Sequence, residues 1–561
     1  MPIEIEPSRF FIHIDGRPFM AAMTGGEALV EMLRRHGVDT VFALPGVQND
    51  ALFAALYDAR NAIRVVHTRH EQAAAYMAYG YARATGRVGT YIVVPGPGFL
   101  NTSAALSTAY ATSTPVLCIA GQIPLAMIGR GLGFLHEIPD QLGIMQRLTK
   151  WSARIERPAD TPHLVNEAFY QLTSGRPRPA ALEVPLDVLA EKAEVALSDP
   201  LPSQPPPAAD PAAIKKAAEL LAASVRPMII AGGGAFGAGP EILRLAERLQ
   251  APVVSTYTGK GAVDWKHPLT ISFPAGHRLW PDVDVVLAIG TRLQPQLVNW
   301  GVDDALKVVR VDIDPLEINR VRRPMVGIVG DARLAATALS AALAGMPARP
   351  SRVAEIAAVK AAVSEHLSQL TPQVEFAAAL REAIPEDGFY VDELTQVAYV
   401  GRVTMPFSRP RSFIDSGYQG TLGFGFPTAL GVKVAFPDKP VISVSGDGGF
   451  MYAMPELATA VLHGIAVVTV VFTDNAFGNV KRIQRTDYGG KVIASELHNP
   501  DFAKLATLFG ATGTRATTPA ELTAEIRAAI RRPGPTVIEV PVGEMPDPWR
   551  LIHMGRARPK G

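Results

Sequence analysis

Residues 441–479 read VISVSGDGGFMYAMPELATAVLHGIAVVTVVFTDNAFGN, and this stretch decides the fold. An apolar strand, Val441 to Val444, runs into Gly446-Asp447-Gly448-Gly449. A helical stretch follows from Pro455 to Leu462. A second apolar strand, Val467 to Phe472, ends in Thr473-Asp474-Asn475. Both strands are β-rich and uninterrupted, the pattern of parallel strands buried on both faces. Parallel neighbours place Asp447 and Asp474 together at the carboxyl ends of their strands, where open α/β sheets bind ligands. Two carboxylates with adjacent carbonyls suit a hard cation such as Mg²⁺. The glycines let a phosphate approach the backbone, and the helix N-terminus beyond them favours its charge. The stretch predicts a Mg²⁺–diphosphate cradle.

Outward from it, strands and helices alternate along the whole chain, which means mostly parallel sheets with helices on both faces. Residues 1–21 read as an extension with a short hairpin around Asp15-Gly16. Thr24 to His36 reads as an amphipathic helix with Thr24 as N-cap. Strands are expected at Thr40–Leu44, Ile63–His67, Gly89–Val94 and Pro115–Ala120. Helices are expected at Asn49–Ala59, Glu71–Thr85 and Asn101–Ala111, with Pro95-Gly96-Pro97-Gly98 as a tight loop. A proline-rich spacer, Asp199 to Pro211, opens a second α/β unit, and Met346 to Arg352 closes it. The fold class is α/β, with three doubly wound units.

Bulk composition narrows the function. The 561 residues are 48% hydrophobic and 19% charged, with net charge +1. That balance excludes a nucleic-acid footprint. No apolar run reaches the roughly 18 residues of a membrane span. The N-terminus, MPIEIEPSRFF, lacks the basic-then-apolar pattern of a signal peptide. The single cysteine, Cys118, sits in the apolar run PVLCIAG and reads as core. A cytoplasmic enzyme is expected.

Three further motifs have bland readings beside functional ones. Gly232 to Gly237 spells G-x-G-x-x-G after a strand, but the next strand, APVVSTY, ends without a ribose-binding acid, so a structural turn is the stronger reading. His70-Glu71 begins an HExxH, but Ala74 removes the second zinc ligand. Glu71 alone would be a dipole-favoured helix-start acid; it also follows an apolar strand directly, at the carboxyl edge of a sheet. Gly417 to Pro427 (GYQGTLGFGFP) is either a flexible loop or a backbone that must approach a flat ligand, with Leu422 wedged beneath it.

Five elements together, TRHEQAAAYMA (68–78), PGPG (95–98), AGQIP (120–124), GTLGFG (420–425) and GDG (446–448) with its later acidic-amide pair, carry a resemblance. Over about residues 22–548 the chain resembles thiamine-diphosphate-dependent enzymes of the acetolactate synthase-like superfamily. That superfamily includes benzaldehyde lyase, benzoylformate decarboxylase and 2-hydroxyacyl-CoA lyase. The resemblance implies a pyrimidine-binding domain at 22–195, a central Rossmann-like domain at 212–345 and a diphosphate/Mg²⁺-binding domain at 370–548. It implies that Glu71 bonds the cofactor's pyrimidine N1′, that Leu422 holds the cofactor bent, and that the Gly420 carbonyl receives its 4′-amino group. Gly446, Gly448 and Gly449 would lie by the diphosphate with Thr395 and Gln396. Gly96, Asn475, Phe477 and Gly478 complete the implied cofactor contacts. Asp447 would bind Mg²⁺. The second ligand, usually Asn, falls 27 residues later at Asp474, or at Asn475 with a one-residue slip; the Ala476 carbonyl is third.

The chemistry explains the residue types. A carboxylate at N1′ favours the imino tautomer of the aminopyrimidine, which sets a base beside the thiazolium C2 proton. The family places Glu71 in one subunit and the metal site in its neighbour, so a homodimer is the minimum unit and a homotetramer is expected. Val47, Gln48, Phe99, Gln122, Leu135, His136, Phe477, Asn479, Val480 and Ile483 would line the substrate side, with Gln122 and His136 as catalytic candidates. Leu135, Asn479 and Ile483 replace the Phe, Met and Trp usual in acetolactate synthase. GTRLQPQLVNWG (290–301) replaces an acid-rich, flavin-contacting segment. These departures argue against true acetolactate synthase activity and disfavour FAD, which the resemblance admits. The leading expectation is a carboligase or lyase acting on a 2-oxo acid, with an aldehyde or hydroxyacyl-CoA as the other small-molecule partner. The alternatives are a simple 2-oxo acid decarboxylase and a 2-hydroxyacyl-CoA lyase, whose CoA phosphate the basic tail Arg550–Lys560 would contact. A non-catalytic relative that only binds the cofactor would have no need of Glu71.

Overall fold

The computed structural model describes residues 19–552 and 554–558. The hairpin expected around Asp15-Gly16 lies outside them. Three six-stranded sheets, each wholly parallel, follow one another along the chain. In the first, the spatial order is Arg64–His67, Thr40–Ala43, Gly89–Val93, Val116–Gln122, Ala180–Pro185, Trp151–Arg154. In the second it is Thr270–Ile271, Val253–Ser255, Pro227–Ala231, Val285–Ile289, Lys307–Asp312, Val326–Val329. In the third it is Phe413–Asp415, Phe389–Asp392, Val441–Gly446, Val468–Thr473, Thr536–Pro541, Thr512–Arg515. Central strands such as Gly89–Val93 and Val468–Thr473 are buried at every position, which accounts for their continuous apolar runs.

Helix Glu71–Thr85 lies between the first and third sheets and joins their cores. It is capped by the His70 imidazole, which accepts from the Gln72 N–H, and ends at Gly86 with φ +77°. It crosses helix Gly425–Ala435 at small residues. A Cβ on Gly80 would lie 2.1 Å from the Thr428 carbonyl oxygen, and one on Gly431 2.0 Å from that of Met77. This crossing fixes the start of the Glu71 helix relative to the glycine-rich loop that precedes Gly425. Tyr76 and Tyr79 add hydrogen bonds to Thr421 Oγ1 (2.7 Å) and the Asp415 carbonyl (2.9 Å).

Four local expectations differ from the structure. The end of the supposed extension is a strand, Phe19–Thr24, paired antiparallel with Lys192–Leu197. The PGPG loop closes into a one-turn helix, Pro97–Leu100, with proline at its start. The helix after Gly446 begins at Asp447 itself, with a second helix at Glu456–Leu462. The spacer 346–352 does not end the second unit's core. Helix Val353–Leu367 follows it and returns Ile356, Val363 and Leu367 to that core. Among the described residues no helix is long and apolar enough to cross a membrane.

Candidate active site

Strands Val441–Gly446 and Val468–Thr473 pair in parallel with Gly446 opposite Phe472. Asp447 and Asp474 therefore leave the same sheet edge side by side. They face a cavity of about 330 Å³. Also lining it are Thr395, Gln396, Gly420, Leu422, Gly446, Gly448, Gly449, Ala476, Phe477 and Gly478. Every expected contact of the diphosphate half except Asn475 is thus brought together. Asn475 adopts φ +55°, and its side-chain oxygen accepts from Asn499 at 3.0 Å. The cavity receives the Asp474 side instead.

The cavity's electrostatics fit a cation bound together with an anion. Helices Gln396–Thr404, Asp447–Ala453 and Gly478–Thr486 all begin at its wall, so three sets of N-terminal N–H groups converge on it. Asp447 accepts from neutral donors only: Gly448 N–H (2.7 Å), Asn475 N–H (2.7 Å), Asp474 N–H (3.2 Å) and the Asn499 amide (2.9 Å). Burial raises its carboxyl above the ordinary range. Burial, and then the charge of Asp447, push Asp474 up to about 6. Burial of both carboxylates, with the charge of Asp447 acting on Asp474, disfavours two negative charges here, and a divalent ion would relieve that cost. Among the described residues no group of three or more His, Cys, Asp or Glu could hold a metal, so a cation here would need carbonyl and ligand oxygens beside the two carboxylates. The buried Gln396 side-chain oxygen has no hydrogen-bond partner, an orphan that a ligand here would satisfy. A Cβ on Gly478 would sit 2.4 Å from Asp474 Oδ2, and one on Gly448 2.6 Å from the Phe477 ring, so the glycines keep this cradle open.

Glu71, Gly96, Gln122 and His136 do not line that cavity in their own chain. They gather instead at the carboxyl edge of the first sheet. Glu71 is half-buried, and its Oε2 accepts from the Asn101 amide at 2.9 Å. Gly96 has φ +56°, its N–H donates to Gln141 Oε1 (2.8 Å), and a Cβ there would meet the His136 carbonyl oxygen at 2.2 Å. Gln122 is buried; its amide donates to Glu183 Oε1 (2.7 Å) and accepts from Ile123 N–H (2.8 Å). Gln141 and Arg154 hold the same Glu183. His136 Nδ1 pairs with Gln48 Oε1 at 3.0 Å. As placed, Gln141 braces the PGPG loop, Gln122 is tied to Glu183 beside it, and His136 stands at the edge.

Two buried carboxylates were not legible in the sequence. Glu393 accepts from the N–H groups of Gly423 (2.7 Å) and Gly425 (2.8 Å) and from Ser445 Oγ (3.0 Å), which pins the Leu422 loop to the sheet. Burial pushes it up to about 7. The available signal was an acid directly after the buried strand Phe389–Asp392, where water cannot solvate it. Because its folded value lies above the ordinary 4.5, this carboxyl favours folding below pH 4.5, and that contribution is lost as pH rises through about 7. Glu393→Gln should remove that pH-dependent fall, at most about 3 kcal/mol. Thermal unfolding of cofactor-free protein at about pH 5 and pH 8 checks it: the wild type loses more stability across that interval than the variant. The second carboxylate, Glu456, accepts from backbone N–H groups just before Glu71.

A roomier cavity, about 780 Å³, lies where the second unit meets the other two. The Gly232–Gly234 turn lines it. A Cβ on Gly232 would lie 2.2 Å from the Gly290 carbonyl oxygen, so packing of two loops already accounts for that glycine. Arg176 and Arg292 face this cavity, with Arg292 over the Tyr418 ring at 4.8 Å. The basic tail does not reach either cavity through Arg558, which is buried against the second unit by bonds to Trp280, Val283 and Asp303.

Three family descriptions match the chain. They are the N-terminal TPP binding domain of thiamine pyrophosphate enzymes over residues 23–144, the central domain over 214–339 and the C-terminal TPP binding domain over 396–540. A probable 2-ketoarginine decarboxylase of Pseudomonas aeruginosa is 36% identical over 542 residues, covering 92% of this chain and 94% of that protein. A probable acetolactate synthase large subunit of Methanocaldococcus jannaschii is 35% identical, covering 95% and 93%. An acetolactate synthase of Arthrospira platensis is 32% identical, covering 96% and 98%.

Proposed function

The chain belongs to the thiamine pyrophosphate enzyme family, and we propose that it holds thiamine diphosphate with Mg²⁺ and decarboxylates a 2-oxo acid, passing the remaining acyl unit to a proton or a second carbonyl. The observation that carries this reading is the pair of facing carboxylates, Asp447 and Asp474, at the mouth of three converging helix N-termini. Asp447, Asp474 and the Ala476 carbonyl would hold the ion, while the N–H groups from Gly446 to Gly449 and the Thr395–Gln396 turn would hold the diphosphate. Leu422, on a loop pinned by Glu393, would keep the two rings of the cofactor bent towards each other. When bound, the cofactor supplies an electron sink for the electron pair left when the bond beside the carbonyl breaks. Glu71 would hold the proton at the pyrimidine N1′, with Oε2 tied to Asn101 and Oε1 turned to the ligand. Gln48 and His136 would meet the substrate.

Glu71 does not line its own chain's cavity, which supports a homodimer in which each Glu71 serves the neighbour's diphosphate site. Relatives named for decarboxylation and for acetolactate synthesis both cover nearly the whole chain, so the fate of the acyl unit is set by the acceptor side. Purified protein with thiamine diphosphate and Mg²⁺, offered 2-oxo acids singly and with an aldehyde or a second 2-oxo acid, should release CO₂. No release from any of them, with cleavage of 2-hydroxyacyl-CoA instead, would replace this reading with the lyase. Bound FAD is a second reading, favoured by the roomy cavity beside Arg176 and Arg292; a flavin spectrum in the supernatant of denatured protein tests it.

A further inference from the structure

We propose that Glu456 is a positioning residue for Glu71, through which the segment after Asp447 sets the start of the Glu71 helix. The inference rests on the reading of Glu71 given above. Glu456 opens helix Glu456–Leu462 in the third unit and is 1% exposed. Both its oxygens accept from the Arg69 N–H at 3.1 Å, and Oε1 also accepts from the His70 N–H at 3.0 Å. The Thr459 hydroxyl, 2.5 Å away, holds Oε2.

These N–H groups belong to the turn that launches helix Glu71–Thr85. Such donors have no partner inside the helix and are usually met by water or a local side chain. Here a carboxylate 386 residues further along the chain takes them. Peptide planes are rigid, so fixing two successive N–H vectors orients the planes on either side of Arg69 and narrows the directions open to the next residue. The opposite side of the turn is tied as well, by Thr68 Oγ1 donating to the His70 carbonyl at 2.9 Å. Glu71 follows directly, and Asn101 then holds its Oε2. From Asp447 to Glu456 runs one short helix, Asp447–Ala453, and a two-residue turn. The turn after Gly446 and Glu71 are therefore joined by a short path whose end, Glu456, is buried, although Glu71 does not line that turn's cavity. A carboxylate that merely braced the fold would affect stability without singling out the catalytic step.

The test compares Glu456→Leu, Glu456→Gln and Glu71→Gln with the wild type. In cofactor-free protein, amide hydrogen exchange of the peptide covering Arg69–Gln72 should quicken about 10-fold or more in Glu456→Leu, the effect of losing one net hydrogen bond. In the holoenzyme its kcat should fall by about 10–100-fold with KM little changed, as expected when a catalytic group is displaced by about 1 Å. Glu456→Gln should restore both, because its amide oxygen accepts the same two N–H groups and the Thr459 hydroxyl can turn to accept. Wild-type protection and kcat in Glu456→Leu would overturn the proposal. So would lost protection with unchanged kcat, or a Gln variant as impaired as the Leu variant. Should Glu456→Leu fail to fold, Thr459→Val removes only the hydroxyl on Oε2 and should shift both readouts the same way by a few-fold; no shift overturns the proposal. A fully active Glu71→Gln would mean instead that the reading of Glu71 itself has failed.

Discussion

With Glu71 replaced by Gln, the holoenzyme should release CO₂ about 10²–10⁴-fold more slowly, the usual contribution of one placed general acid–base group. The substitution keeps the side chain's shape, and the Gln oxygen still accepts from Asn101, so the helix start is undisturbed. What is lost is the carboxylate that can hold a proton at N1′. Cofactor affinity should change much less, because on the reading proposed above the diphosphate and its ion would be gripped elsewhere, at the cavity around Asp447. The loss therefore appears in kcat, and calorimetric titration with thiamine diphosphate shows a dissociation constant close to wild type. A Glu71→Gln enzyme that turned over normally would leave this carboxylate as an ordinary helix-start acid.

Asp447→Ala acts on the other half of the site. It removes one of two facing carboxylates and strands four donors: the N–H groups of Gly448, Asp474 and Asn475, and the Asn499 amide. Cofactor affinity in the presence of Mg²⁺ should fall by at least about 100-fold, since loss of an outer-shell group alone costs up to that much. Gel filtration should strip the cofactor from the variant and leave it on the wild type. Asn475→Ala is the contrast. Its side chain faces Asn499 and not the cavity, so Mg²⁺-dependent retention should stay near wild type. Lost retention in Asn475→Ala, with Asp474→Ala unaffected, would move the second ligand by one residue.

What was legible in the sequence was whatever local pattern determines. Helix Glu71–Thr85 could be bounded because polar His70 precedes it and Gly86 follows in a left-handed conformation. The paired strands ending at Gly446 and Thr473 were legible because they are buried on both faces and interrupted only by small polar residues such as Ser443 and Thr469. The single turn Pro97–Leu100 was not, since four residues show no period. Helix Val353–Leu367 was hidden behind a stretch that looked like a domain end, and its buried face is only three residues wide. The residues that hold the site in place were the least visible. Glu393, Asn499 and Glu456 act on partners about 30, 52 and 386 residues away in sequence, and no spacing rule connects a polar side chain to a partner that far off. The trace of Glu393 and Glu456 is only that each is a polar residue in a place that folding closes to water, while Asn499 is half-buried.

The most direct test of the central claim is exchange of the C2 proton of bound thiamine diphosphate in D₂O, followed by NMR after rapid quench. Wild-type holoenzyme should exchange that proton at least about 100-fold faster than Glu71→Gln at equal cofactor occupancy. If both exchange it equally slowly, the chain binds the cofactor without activating it, and the catalytic account is wrong.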